Sequence, residues 1–313
     1  MSALEDCGVR PTTLVLDCLC MFSVPPPQDP PPPAFSAAGC VTRLVVNLQE
    51  NNAALDGIVH YFCAFQTLEM LQIEGTPHEL HEVPPDEEHL RVPPLLKSIS
   101  TAEPVVLKWF SRTDEGAFPR DLTRLELYGL PSHGFKWATV NECLQKPLGK
   151  HIKALTLRNC RIGRHQSIPD LRHVPFLHHL TIHGAFDTTA KLLQSILEDQ
   201  PPMKHLTNLT LSVGFLSGVE YHKRVWRALD GPLADPTRFP RFEWGAGCIN
   251  IQCFDPPSEF LEYSLSVLAA EPGVEMAVAL VLHNQLQECS ERGLLRVDIP
   301  VVEPKKWNRA AKT

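Results

Sequence analysis

No stretch of this sequence is long and apolar enough to cross a bilayer as a helix. The longest uninterrupted apolar run, Met276 to Leu282, has seven residues, and a span needs about 20. Glu5 and Asp6 stand where a secretory leader carries positive charge, and Asp17 interrupts the apolar segment that follows. We therefore expect no membrane partner and a location in the cytoplasm or nucleus. Catalytic frames are also missing. There is no Gly-x-Ser-x-Gly elbow, no glycine-rich phosphate loop, no His-Glu-x-x-His and no dinucleotide fingerprint. Triads need no fixed spacing, so an enzyme on an irregular α/β fold stays open as the alternative.

Paired cysteines are scarce. The chain has ten, most of them beside apolar residues, as at Cys63, Cys143 and Cys160, which fits reduced core thiols. Cys18 and Cys20 have no second close pair to complete a zinc site. Histidines are grouped but not as ligands. On a strand, His179 and His183 point to the same side, but four residues at about 3.3 Å each separate them by roughly 13 Å. One metal cannot reach both. His78, His81 and His89 lie near Glu79, Glu82 and Asp86 to Glu88, and Pro84 and Pro85 break any helix that would gather them. No metal and no cofactor are expected. The net charge is -7 with a pI near 6.1. The charges are spread along the chain, without the basic stripe that nucleic acid favours, so nucleic acid is not the expected partner.

What the sequence does have is a repeat. Leu122-Thr-Arg-Leu125-Glu-Leu127, Ile152-Lys-Ala-Leu155-Thr-Leu157, Leu177-His-His-Leu180-Thr-Ile182 and Leu206-Thr-Asn-Leu209-Thr-Leu211 share one pattern. An aliphatic residue stands at positions one, four and six, with mostly polar residues between. The steps are 30, 25 and 29 residues, the period of a solenoid. Alternation at positions four to six reads as a short strand. A single such strand cannot bury its aliphatic side chains, but stacked neighbours can.

The returning segment has room for a helix. Asp187 to Asp199 fits one, with Leu192, Leu193, Ile196 and Leu197 on one face, Asp187 as its cap, and Pro201 and Pro202 as its stop. The same pattern stands at Val41-Thr-Arg-Leu44-Val-Val46 and Leu68-Glu-Met-Leu71-Gln-Ile73. The interval from Leu68 to Leu122 is twice the usual step, so one rung is hidden there, and Val105 to Trp109 is its best candidate. Thr12 to Phe22 reads as a first strand, and Leu55 to Cys63 as a helical stripe. Pro25 to Pro33 is a stiff surface spacer. Short helices are expected around Trp137 to Leu144 and Val225 to Leu229. Further rungs are expected at Ile249 and Ile251 and at Leu294 to Ile299. Ser258 is a candidate cap for a helix carrying Leu261, Leu265 and Leu268. Val274 to Leu282 is ambiguous between helix and strand.

The pattern resembles the leucine-rich repeat, Leu-x-x-Leu-x-Leu-x-x-Asn/Cys. Ile152, Leu155, Leu157 and Cys160 fill all its places, while Leu130 and Ala185 replace the Asn or Cys in other units. The uneven lengths and the proline-rich segments before the strands resemble the degenerate repeats of fungal F-box/leucine-rich repeat proteins. No F-box of about 45 residues is found; only 24 residues precede the first proline block.

The resemblance implies an α/β leucine-rich repeat solenoid, a horseshoe-like curved parallel sheet with outer helices and irregular repeats. It would form a single domain over 1–313. The clearest repeats are 122–213, with irregular rungs over 12–110, a capping region over 240–303 and a basic tail over 304–313. It also implies a non-catalytic protein-interaction scaffold, with ubiquitin-ligase subunits as partners if the adaptor role holds. Another alternative is a structural subunit of a larger assembly.

On that fold, positions three, five and seven face the concave side. The candidate partner-binding residues are Arg124, Glu126, Tyr128, Thr156, Arg158, His179, Thr181, His183, Asn208 and Thr210, with Ala154 and Ser212 in the same columns. Earlier units add Arg43, Val45 and Asn47, then Met70, Gln72 and Glu74. Tyr128 and Arg158 share a column one unit apart and are the first choice, since Tyr and Arg are common binding anchors.

Overall fold

The computed structural model describes residues 12–18, 40–48, 65–74, 92–102, 104–111, 118–129, 137–160, 168–214, 219–243, 245–254 and 274–298. They form one sheet of ten parallel strands in sequence order. The strands are β1 (Thr13–Cys18), β2 (Arg43–Leu48), β3 (Met70–Glu74), β4 (Ser98–Thr101), β5 (Arg124–Tyr128), β6 (Ala154–Arg158), β7 (His179–Ala185), β8 (Asn208–Gly214), β9 (Ile249–Phe254) and β10 (Leu295–Asp298). Each pairs only with the rung before and after it, as stacked repeats require. Among the described residues no helix is long and apolar enough to cross a membrane.

The register converts the sequence pattern into columns. Position four runs Leu44, Leu71, Ile99, Leu125, Leu155, Leu180, Leu209 and Ile249 across neighbouring strands. All of these are buried in one continuous core, as are Ile73, Leu127, Leu157, Ile182, Leu211 and Ile251 at position six. Successive strand residues point to opposite faces, so positions three, five and seven share the other face.

The core side is closed by helices. These are α1 (Val105–Ser111), α2 (Trp137–Leu144), α3 (Pro147–His151), α4 (Phe186–Asp199), α5 (Val219–Ala234), α6 (Val274–Gln285) and α7 (Gln287–Glu291). Trp137, Leu193, Ile196 and Trp226 belong to the same core as the strand leucines. Phe186 and Trp226 meet with ring centroids 5.1 Å apart, tying α4 to α5.

The hidden rung lies elsewhere than expected. Val105 to Trp109 is helix, and the strand is Ser98–Thr101. Its pattern is Leu96, Ile99 and Thr101, with a fully buried Thr101 at position six. A threonine there disguises the rung. Pro104 then opens the helix, its carbonyl accepting from Leu107 N–H at 3.0 Å. Asp187 is likewise not the cap of α4. The cap position is Ala185, without a side-chain bond, because β7 runs straight into the helix and buries Phe186 at the junction. Asp187 sits in the first turn, where its charge favours the helix dipole. Val274 begins a helix. The return from β6 to β7 holds, among its described residues, only a 3-10 turn, Leu171–His173. The expected features over Pro25–Pro33, Leu55–Cys63, His78–His89, Ser258–Leu268 and the basic tail lie outside the described residues.

Five rungs begin in the same way. Leu68, Leu96, Leu122, Leu177 and Leu206 donate to the carbonyl three residues back, on Phe65, Pro93, Pro119, Val174 and Met203. This β-turn puts two exposed or partly exposed corner residues on the sheet's leading edge. Next, positions two and three both donate to the position-two carbonyl of the preceding rung. Lys153 and Ala154 bond Thr123 O, His178 and His179 bond Lys153 O, and Thr207 and Asn208 bond His178 O, all at 2.8 to 3.1 Å.

Side-chain clamps hold backbone in the returns between strands. The Asn141 carboxamide donates to Ile168 O and accepts from Asp170 N–H, both at 2.8 Å. Gln200 accepts from Leu171 N–H at 2.9 Å. At the last rungs the Asp230 carboxylate accepts from Glu288 N–H at 2.8 Å and Cys289 N–H at 3.0 Å, closing the start of α7. Gly293 has φ +64°, and a Cβ there would lie 2.8 Å from the Gly245 backbone. No other residue fits that crossing.

Candidate functional site

The polar face of the sheet brings the predicted residues together in three registered columns. Arg124, Ala154, His179 and Asn208 form position three. Glu126, Thr156, Thr181 and Thr210 form position five, and Tyr128, Arg158, His183 and Ser212 form position seven. The alternation that buries the leucines therefore turns these side chains to the opposite face, where all but the buried Ser212 are at least partly exposed.

Several bond across rungs. Arg158 reaches back to Glu126 at 3.1 Å. Ser100 donates to the same carboxylate at 3.0 Å. His183 Nδ1 lies 2.8 Å from Ser212 Oγ, and His179 Nδ1 lies 3.2 Å from Asn208 Nδ2. Arg43 donates to Gln72 at 2.9 Å, and Gln72 in turn to Glu74. Polar side chains on this face thus restrain one another laterally. Burial pushes the His183 imidazole below its ordinary value, Arg158 adds to this, and Glu126 opposes it.

Tyr128 has a different role from its column neighbours. The β4 rung is short and carries Ala102 at position seven. The Tyr128 hydroxyl passes over that gap and donates to Ile73 O, two rungs away. Burial, then Glu74 and Glu126, push its phenol well up. Its ring is half-buried, so it braces the face. Arg158, with 53% of its side chain exposed, and the exposed Arg124, His179 and Asn208 offer more contact area. Val45 is buried and offers little.

Ser98 and Ser100 belong to the face as well. They were missed because Thr101 disguised their rung; the spacing of Leu96 and Ile99 was the available signal. Asn250 also joins column five, and its Oδ1 is buried without a partner.

The turn beyond the face matches the repeat pattern at one place. Cys160, at position nine, donates weakly from Sγ to Leu127 O at 3.4 Å and to Arg158 O at 3.5 Å. Burial pushes its thiol up to about 12, so it is not a nucleophile at neutral pH. The preceding Asn159 has φ 52°, a left-handed conformation that Asn tolerates. Its carbonyl lies 2.4 Å from where a Cβ on Gly129 would stand, so only glycine fits at that point of the neighbouring rung.

Among the described residues no three His, Cys, Asp or Glu side chains are grouped to hold a metal. No family model matches the chain, and no curated protein is found to be similar to it in sequence.

Proposed function

We propose that this chain is a leucine-rich repeat-type scaffold that binds a protein partner on the polar face of its sheet. The observation that carries the reading is the set of registered polar columns on strands β5 to β8. Their cross-rung bonds limit side-chain freedom before binding, which lowers the entropic cost of an interface. The Cys160 contacts to backbone carbonyls of its own and the preceding rung support the repeat-family part of the reading. Within this class, the specific role we propose is the substrate-recognition part of a ubiquitin-ligase adaptor. That role rests on the resemblance to degenerate fungal repeats.

The test is affinity capture from a fungal extract with the chain and its Arg124→Ala/Arg158→Ala variant. Both arginines are exposed, so the variant should fold. A specific protein lost by the variant is the expected result. Recovery of the linker subunit and cullin supports the adaptor role, and a specific partner without them removes it. Identical partners for both chains would overturn the assignment of this face.

A further inference from the structure

The fold concentrates positive charge that the sequence spreads out. The leading edge of the sheet gathers residues from the corner turns and from position two of successive rungs. Arg120, Lys153, Lys204 and Arg241 are exposed on it, and the exposed Arg124 borders it at position three. Among the described residues none of the five has an ion-pair partner. Acidic groups on the same edge are fewer, and some are occupied. Glu69 pairs with Lys97 at 2.8 Å, and Asp170 is held by Arg172 at 2.7 Å. Asp235 accepts from Thr237. Asp121 and Glu243 remain exposed. This edge is cationic in a chain whose net charge is -7.

Histidines lie on the same edge. His178 and His205 have ring centroids 6.1 Å apart, and His178 and His179 6.4 Å. Burial, then His179, His205, Arg241 and Lys153, hold the His178 imidazole below its ordinary value. Beside this cluster is a hollow of about 320 Å³ whose lining includes Leu171, Val174, Pro175 and Pro202, with Arg172 and Lys204 among its polar members. Phe176, 49% exposed, stands next to it against His205 at 5.6 Å. An apolar hollow with the unpaired Lys204 in its lining and unpaired Lys153 and Arg241 on the same edge matches a ligand with an apolar side chain among carboxylates.

We propose that the leading edge around His178 and His205 is a second docking surface, for an acidic peptide segment of a partner protein that places one apolar side chain in the hollow. Charge complementarity selects the anionic partner. The apolar hollow favours a peptide over a nucleic acid, and a long polyanion would also meet the repulsion of an acidic chain beyond this edge. The surface is distinct from the polar sheet face: its cations come from turns and position two, with Arg124 alone shared between them.

The test is fluorescence anisotropy of a labelled acidic peptide with one central leucine. Its counterpart with alanine at that place and a single-stranded oligonucleotide of equal charge are measured alongside it. The protein is the full chain and its Lys153→Glu/Lys204→Glu variant, with circular dichroism confirming that both fold. A Phe176→Ala variant probes the hollow. The expected results are salt-sensitive binding and a loss of about tenfold or more on charge reversal. Weaker binding is also expected for the alanine peptide and for Phe176→Ala. Equal binding by the charge-reversed chain, no preference for leucine, or tighter binding of the oligonucleotide would each overturn the proposal.

Discussion

Leu157 and Arg158 are consecutive residues on one strand with opposite environments. Leu157 is fully buried, whereas 53% of the Arg158 side chain is exposed. A milder form of the contrast holds for the buried Ile182 beside the half-buried His183. On the core side every rung puts an aliphatic or similarly compact residue in the same place, because the neighbouring rung presents a complementary one. On the polar side columns three and seven change identity from rung to rung, while column five repeats threonine at Thr156, Thr181 and Thr210, and the bonds formed are lateral and specific. The core columns determine how rungs stack, and the polar columns determine what they present. The two faces use different physics. Burial of apolar area is non-directional, while the polar contacts depend on geometry and partner.

The contrast sharpens where a polar group serves the core side. Asp230 is 7% exposed and holds the first N–H groups of the last short helix, from a position nearly sixty residues earlier in the chain. Hydrogen bonds to a charged group contribute about 1.5–3 kcal/mol. Asp230→Ala should cost about that much in urea denaturation. A loss near zero would show that water replaces the carboxylate.

The contrast breaks at Tyr128, which lies on the polar face and yet braces the rungs. Tyr128→Phe removes its bond to Ile73 O and its hydroxyl's bond with Ser100 and should cost about 0.5–1.5 kcal/mol. An unchanged midpoint would return Tyr128 to the set of merely displayed residues.

A smaller effect concerns pH. The His183 imidazole is depressed below 6.5, chiefly by burial and then by Arg158. The folded state resists its protonation, so its contribution is present above that value and is lost as pH falls below it. The unfolding midpoint should therefore decline with acidification, with a shallower slope for His183→Gln than for the parent chain. Parallel slopes would contradict this role.

Much of this fold was legible in the sequence, for a specific reason. Positions one, four and six are defined by burial alone, and leucine and isoleucine announce it. The rungs at Leu44, Leu71, Leu125, Leu155, Leu180, Leu209, Ile249 and Leu295 could be found that way. The rung at Ile99 could not, since a buried threonine imitates a surface residue and Val105 to Trp109 offered a more apolar decoy. Asp187 looked like a cap because caps are judged locally, whereas the start of α4 is fixed by where β7 ends and Phe186 is buried. The polar columns followed directly from the register. The bracing role of Tyr128 did not, because it depends on the shortness of a neighbouring rung. The cationic leading edge was hidden most completely. Its residues stand far apart between Arg120 and Arg241, and only the stacking of turns brings them together.

The most direct test is an alanine series along β6, measured by equilibrium urea denaturation of Leu155→Ala, Thr156→Ala, Leu157→Ala and Arg158→Ala. The account predicts an alternating profile: losses of about 2–5 kcal/mol at Leu155 and Leu157, and within about 0.5 kcal/mol of zero at Arg158, with Thr156 well below the leucines. A flat profile, or one with its maxima at Thr156 and Arg158, would mean that the strand does not present these faces and that the columns are wrongly drawn.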